Sequence, residues 1–114
     1  MFFAEGQLRV WLCTEPTDMR KSFDGLSSLV KHKLEQDPLS GQLFVFVNRR
    51  KTQMKILYFD RSGYCIWGKR LVQGQFNYCE SATGKRALDA LQLKLLLEGI
   101  EVKNARYYKR FTRA

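Results

Sequence analysis

The chain has 114 residues, with 20 Lys and Arg against 11 Asp and Glu and a formal charge of +9; it reads as one small, strongly basic domain. Its 45% apolar and 13% aromatic residues exclude wholesale disorder, and a chain of this mass buries roughly two-thirds of its unfolded surface around a single core. No stretch approaches the run of about 18 apolar residues that a membrane span needs, and MFFAEGQLRV lacks the basic-then-apolar order of an export signal, so a soluble cytoplasmic protein is expected.

Residues 8–13, LRVWLC, alternate Leu8, Val10 and Leu12 with Arg9, Trp11 and Cys13, the period of a strand with one face inward. Glu15-Pro16 stops it. Met19, Phe23, Leu26, Val30 and Leu34 then recur at intervals of three and four, one stripe of a helix that Thr17 or Asp18 is placed to cap. Gly25 within it costs about 1 kcal/mol of helix propensity relative to Ala, which predicts close packing there, against the sheet. Asp37-Pro38-Leu39-Ser40-Gly41 is a turn cluster. Gln42–Val47, Met54–Phe59 and Tyr64–Leu71 follow as strands rich in β-branched and aromatic residues, and their short polar connections predict an antiparallel meander. Gly74–Cys79 reads as a further short strand and Glu80–Arg86 as a loop.

Asp89 and Gln92 have capping-box spacing at the start of a short helix with Leu91, Leu95 and Leu96 on its apolar face and Gly99 at its end. Leu93 and Leu97 widen that face, so the helix either lies deep against the sheet or docks a partner. Residues 1–102 thus form one domain, and residues 103–114, KNARYYKRFTRA, form a basic aromatic tail.

The chemistry available to such a chain is narrow. Its one histidine, His32, lies between Lys31 and Lys33 on a polar helix face, so neither a nucleophilic triad nor histidine acid-base chemistry is expected. Cys13, Cys65 and Cys79 are odd in number and widely spaced, which argues against a disulfide framework or a zinc site and for small apolar residues in a reducing compartment. No nucleotide-cradling glycine motif occurs, so no cofactor or small-molecule substrate is expected. Two-metal nucleases need about three carboxylates around ions held ~4 Å apart. Asp18, Asp60 and Asp89 have structural readings as helix start, turn and cap; Asp24 and Glu80 alone make no cluster.

The positive charge, in contrast, is grouped. Arg49, Arg50, Lys51 and Lys55 surround one hairpin connection, Lys69 and Arg70 end the next strand, and Lys103, Arg106, Lys109, Arg110 and Arg113 fill the tail. Such clusters match the phosphate array of DNA, and Tyr107, Tyr108 and Phe111 could stack on bases or pack on a protein. A hairpin tip bearing Arg and Lys is equally a solvated turn that discourages edge pairing.

PTDMRKSFDGL at 16–26, DPLSGQLFVFVNRRKTQMKILYFDRSGYCIWGKRL at 37–71 and the Leu-Leu-Glu-Gly-Ile pattern at 96–100 closely resemble one family. It is the TnpB, or Orf2-type, accessory proteins of the IS66 class of bacterial insertion sequences, distinct from the RNA-guided nucleases also called TnpB. The resemblance implies a role in DNA transposition beside a separate transposase that carries the acidic catalytic residues. The family's block is matched by Pro16, Asp18, Met19, Arg20 and Lys21, followed by Phe23, Asp24, Gly25 and Leu26. Arg49-Arg50 match its paired arginines, and Lys69-Arg70 its Lys-Arg-Leu. Ser22, Tyr58 and Asn77-Tyr78-Cys79 depart from it, where Gly, Trp and a Trp-Pro ending are common. Met19, Phe23 and Leu26 are core positions; Arg20 and Asp24, four apart, either pair across a helical turn for about 0.2–0.5 kcal/mol or contact a partner or DNA.

The fold expected is α+β: a small antiparallel meander, the Met19–Leu34 helix on one face and a short Leu-rich helix near the end. The function expected is that of a non-catalytic accessory protein binding DNA, its transposase, or both. Arg49, Arg50, Lys51, Lys55, Lys69 and Arg70 would contact phosphate, with Arg106, Lys109, Arg110 and Arg113 as a supporting arm. Two alternatives remain. One is an adaptor that docks on the transposase through Leu93, Leu95, Leu97, Tyr107, Tyr108 and Phe111; the other is a weak metal nuclease using Asp18, Asp24 or Glu80.

Overall fold

Leu43–Val47, LFVFV, is buried at all five positions, and the rest of the computed structural model, which describes residues 9–99, is arranged to cover it. Apolar residues on both faces of a strand need a layer on each side. This strand, β2, lies at the centre of a five-stranded sheet of order β4-β3-β2-β1-β5. Its neighbours are β1 (Val10–Cys13), β3 (Gln53–Asp60), β4 (Gly63–Arg70) and β5 (Lys85–Leu88). Helix α1 (Phe23–His32) connects β1 to β2, and α2 (Ala90–Leu97) follows β5.

The α+β class expected from the sequence is present, and β2-β3-β4 form the antiparallel meander. The sheet as a whole is mixed, because β1 pairs with β2 in parallel, Val10 opposite Leu43 and Leu12 opposite Val45. Parallel neighbours need a crossover, and the α1 segment supplies it. On the outer side of β1 runs β5, antiparallel, in a stretch whose first residues read as a loop. It is only four residues long and half-exposed at its start, as short edge strands are.

Strand alternation sorts the core into two layers. Cys13, Phe44, Phe46 and Leu57 face α1 and pack with Leu26, Val30 and Leu34. Val10, Leu12, Val45, Val47, Met54 and Ile56 face the other way and are covered by Phe76, Tyr78, Leu93 and Leu96. Phe76 and Tyr78 come from Gly74–Cys79, which is not a strand. Its alternation is real, but the segment crosses the sheet face as a strap instead of pairing at an edge. Helix α2 begins with the expected capping box, Gln92 N donating to Asp89 Oδ1 at 2.7 Å and Asp89 N to Gln92 Oε1 at 2.9 Å. Its inward residues are Leu93 and Leu96, with Leu97 packed beside them, while Leu91 is 59% exposed. The inward face therefore runs through Leu96, as expected, and through Leu93 and Leu97, while Leu91 lies on the other side of the helix.

Helix α1 starts at Phe23, with Ser22 at its N-cap, four or five residues beyond the caps expected at Asp18 or Thr17. Asp18 diverts the chain: its carboxylate accepts the Arg20 N–H at 2.9 Å and its carbonyl accepts the Lys21 N–H at 3.1 Å, closing a turn. Met19 still reaches the α1 layer, but from that turn, and Phe23 is 44% exposed instead of buried. Gly25 does have a close neighbour. A Cβ there would lie 3.2 Å from Cβ and Cγ of Lys21, so the crowding comes from the preceding turn and not from the sheet.

Phe76 is fully buried in a segment without regular structure. Phe76→Ala is expected to lower stability by about 3–5 kcal/mol in urea denaturation, as for a sheet residue; a loss below about 1 kcal/mol would mean that the strap is not core.

Candidate nucleic-acid interface

Parallel pairing brings the carboxyl ends of β1 and β2 side by side. The residues that follow each end, Pro16-Thr17-Asp18-Met19 after β1 and Asn48-Arg49-Arg50 after β2, line one open cleft of about 500 Å³. Ladder-like pairing continues past the strands, since Thr17 N donates to Val47 O at 2.9 Å and Thr17 is buried. The two blocks singled out in the sequence, about thirty residues apart, are thus adjacent walls.

The β2–β3 connection is built by Asn48. Its carbonyl accepts from Lys51 N at 3.0 Å, and its side-chain Oδ1 accepts from Thr52 N and Gln53 N at 2.9 and 3.0 Å. Asn is favoured at the first position of such a turn; Lys51 then reverses the chain with φ +60°. A second segment clamps the turn from outside. Arg50 O accepts from Gln75 Nε2 at 2.8 Å, Lys51 O from Phe76 N at 2.7 Å and Thr52 O from Leu71 N at 2.8 Å. The carbonyls of Asn48, Arg50, Lys51 and Thr52 are thus committed, while the Arg49 and Arg50 side chains are exposed and, among the described residues, make no hydrogen bond or ion pair.

The other cations of this region divide by role. Lys51 Nζ stands 4.4 Å from the centre of the Tyr78 ring, whose phenol is pushed up to about 12 by burial and stays neutral beneath it. Lys55 Nζ donates to Lys21 O at 2.9 Å, tying β3 to the Asp18 turn, and Lys69 Nζ donates to Leu97 O at 2.7 Å, at the end of α2. Arg70 is exposed, opposite Gln53 at the same end of the sheet. Arg106, Lys109, Arg110, Arg113, Tyr107, Tyr108 and Phe111 lie outside the described residues. Of the leucines expected to dock a partner, Leu93 belongs to the core, Leu97 packs against it and Leu95 is half-buried.

At the cleft wall Arg20 pairs with Asp18, not with Asp24. Its Nη2 lies 2.6 Å from Asp18 Oδ2 and its Nε 3.1 Å from both oxygens. Outside the helix, Arg20 and Asp24 are not one turn apart, so the i, i+4 geometry does not arise. The Arg20 side chain, with its backbone N–H second, holds the Asp18 carboxyl at about 2 instead of 3.8. No group of three or more potential metal-ligating side chains occurs among the described residues. No described helix is long and apolar enough to cross a membrane.

Asn48 is a contributor that sequence reasoning passed over, and Thr17 one that it read only as a helix cap; the signal for Asn48 was its place at the head of a polar stretch between two strands. Comparison with known proteins adds context. The family model described as IS66 Orf2-like protein matches residues 8–107. The chain is 39% identical over 94 residues to the uncharacterized protein y4hO of Sinorhizobium fredii (strain NBRC 101917 / NGR234), covering 82% of each chain. It is 32% identical over 94 residues to y4jC of the same strain, covering 82% of this chain and 80% of the relative. No solved structure matches.

Because Asp18 is depressed, its contribution to the turn is present above pH 3.8 and lost as pH falls through about 2. Carboxyl-detected NMR should give a midpoint near 2 for Asp18, rising toward 3.8 in Arg20→Ala; an unshifted midpoint in the parent protein would refute the pair.

Proposed function

This chain belongs to the IS66 Orf2-like family, and on that premise we propose that it serves transposition by binding DNA through phosphate contacts at the β1/β2 cleft. Family membership ties it to insertion-sequence transposition as an accessory protein; DNA contact is our reading. The observation that carries it is the convergence of the Pro16–Met19 and Asn48–Arg50 blocks on one cleft, with the Arg49 and Arg50 side chains exposed on a turn whose backbone is fixed. Ligand crevices in open sheets form outside the carboxyl ends of parallel strands, where this one lies. Arg suits the task, since its planar fork meets two phosphate oxygens at once.

Arg49, Arg50 and Arg70 are the phosphate contacts in this reading. Lys51, Lys55 and Lys69 hold the turn, the Asp18 loop and α2 in place, and so act by positioning. The excess of nine positive charges supplies the long-range field that draws DNA in.

Affinity for an insertion-sequence end and for a scrambled duplex of equal length, followed by fluorescence anisotropy between about 50 and 200 mM salt, tests this. Arg49→Ala/Arg50→Ala should weaken binding and flatten the slope of log K against log salt by about 1.8, two contacts at ~0.9 each. An unchanged slope removes the turn from the interface; no binding by the parent protein to either duplex overturns the reading.

A second reading, docking on the transposase of the same element, is favoured by Leu91, 59% exposed, and half-buried Leu95, neighbours one helical turn apart on α2. Leu91→Asp should abolish co-purification with that transposase and leave DNA affinity unchanged; retained co-purification would exclude this face.

A further inference from the structure

Among the described residues four large apolar side chains stand out in solvent, and the most exposed of them is Val72, at 104% of its reference surface against 44–59% for Phe23, Leu39 and Leu91. It sits in Leu71–Gln75, the segment that leaves β4 and clamps the arginine turn. Leu71 N and Phe76 N are bonded to Thr52 O and Lys51 O at 2.8 and 2.7 Å, and Gln75 Nε2 to Arg50 O at 2.8 Å. Between these anchors, Val72, Gln73 and Gly74 form an exposed bulge, reversed at Gly74 with φ +84°. The bulge is thereby bonded to the turn that carries Arg49 and Arg50, and Arg70 lies two residues before it.

We propose that Val72–Gly74 is the base-reading tip of the DNA interface, with Val72 entering the major groove to contact thymine methyl groups while Arg49, Arg50 and Arg70 hold the flanking phosphates. This rests on the DNA-binding reading above and adds to it a source of sequence preference. Phosphate contacts alone set register and carry no sequence information. The thymine C5-methyl is an apolar group presented only in the major groove, which is about 12 Å wide and admits a two-stranded ribbon. Val72 has the chemistry for it: its β-branched side chain is stiff about χ1 and loses little freedom on contact. Gln73, exposed and without a hydrogen bond among the described residues, is an amide of the type that pairs with adenine in the same groove. An apolar side chain wholly in water, on a loop bonded to the backbone of the turn that carries two exposed arginines, fits a groove between phosphates.

The experiment uses the full chain and three duplexes: an insertion-sequence end, the same end with every thymine replaced by deoxyuridine, and a scrambled duplex. The parent protein should prefer the end, and loss of the methyl groups should lower its affinity about 5-fold or more. Val72→Ser should bind the thymine and deoxyuridine ends equally, at the weakened level, with the parental salt slope; the position is wholly exposed, so its melting temperature should match the parent's. Arg49→Ala/Arg50→Ala should show the converse, a flattened slope with sensitivity to the methyl groups retained. The inference is overturned if Val72→Ser keeps the parental sensitivity, or if the parent binds the three duplexes alike. Failure of the parent to bind any duplex overturns the DNA-binding reading itself, a result distinct from binding without preference.

Discussion

Parallel pairing of β1 with β2 is the constraint from which the rest of the molecule follows. It obliges the chain to cross from one end of the sheet to the other between Cys13 and Leu43, and α1 makes that crossing on the face that presents Phe44 and Phe46. The same pairing leaves Leu43, Val45 and Val47 on the opposite face, where no crossover helix arrives. Covering them falls to Phe76 and Tyr78 of the strap and to Leu93 and Leu96 of α2. The strap in turn must pass the β2–β3 turn on its way across the sheet, and its hydrogen bonds to Arg50, Lys51 and Thr52 are made there. Hydrophobic cover for one strand thus stiffens the arginine turn.

Lysines and arginines are put to different uses. Lys55, Lys69 and Lys85 each place an ammonium on a backbone carbonyl, of Lys21, Leu97 and Leu34, at 2.7–2.9 Å. Leu97 ends α2 and Leu34 lies just past α1, where carbonyls lack helical partners and the helix dipole favours a cation. Lys33 pairs with Glu15, and Lys85 also lies 5.4 Å from the Trp11 ring centre. These compact charges tie helix ends and loops to the sheet. The charge count of the sequence therefore overstates what is available to a ligand, while Arg49, Arg50 and Arg70 make no hydrogen bond or ion pair among the described residues, at one end of the sheet.

Much of this was legible in the sequence wherever a local rule met no competitor. The meander over β2, β3 and β4 followed from short polar connections, and the Asp89–Gln92 capping box from spacing alone. Alternation in Val10–Cys13 identified a strand but not its direction, because a period of two is the same in parallel and antiparallel ladders; the intervening helix was the better clue. Met19 fell on the helical stripe by spacing, yet Asp18 bonds to the backbone and forms a turn first. Phe76 and Tyr78 alternate like a strand because the strap lies extended on a sheet face, whose inward positions also recur every second residue. The cleft was not legible in the residues alone. Its two walls are distant in sequence, and only the parallel register sets them together.

The composition of those walls determines which ligand groups can be held. Asp18 is ionised at physiological pH, as any aspartate near 3.8 would be, and Arg20 lowers its carboxyl further, to about 2. A phosphate entering beside it would meet a fixed negative charge if Arg20 turned away to receive the newcomer. Arg20 is thus more useful paired than free: the pair is neutral as a unit and closes the turn that holds Pro16, Thr17 and Met19 in place. Among the described residues that line the cleft, net positive charge then comes from Arg49 and Arg50, on the β2 side. In the proposed interface a phosphate would be drawn toward the arginine turn and away from the Asp18 wall. In the DNA-binding mode proposed above, that asymmetry would set a duplex across the end of the sheet, with its backbone against the arginine turn.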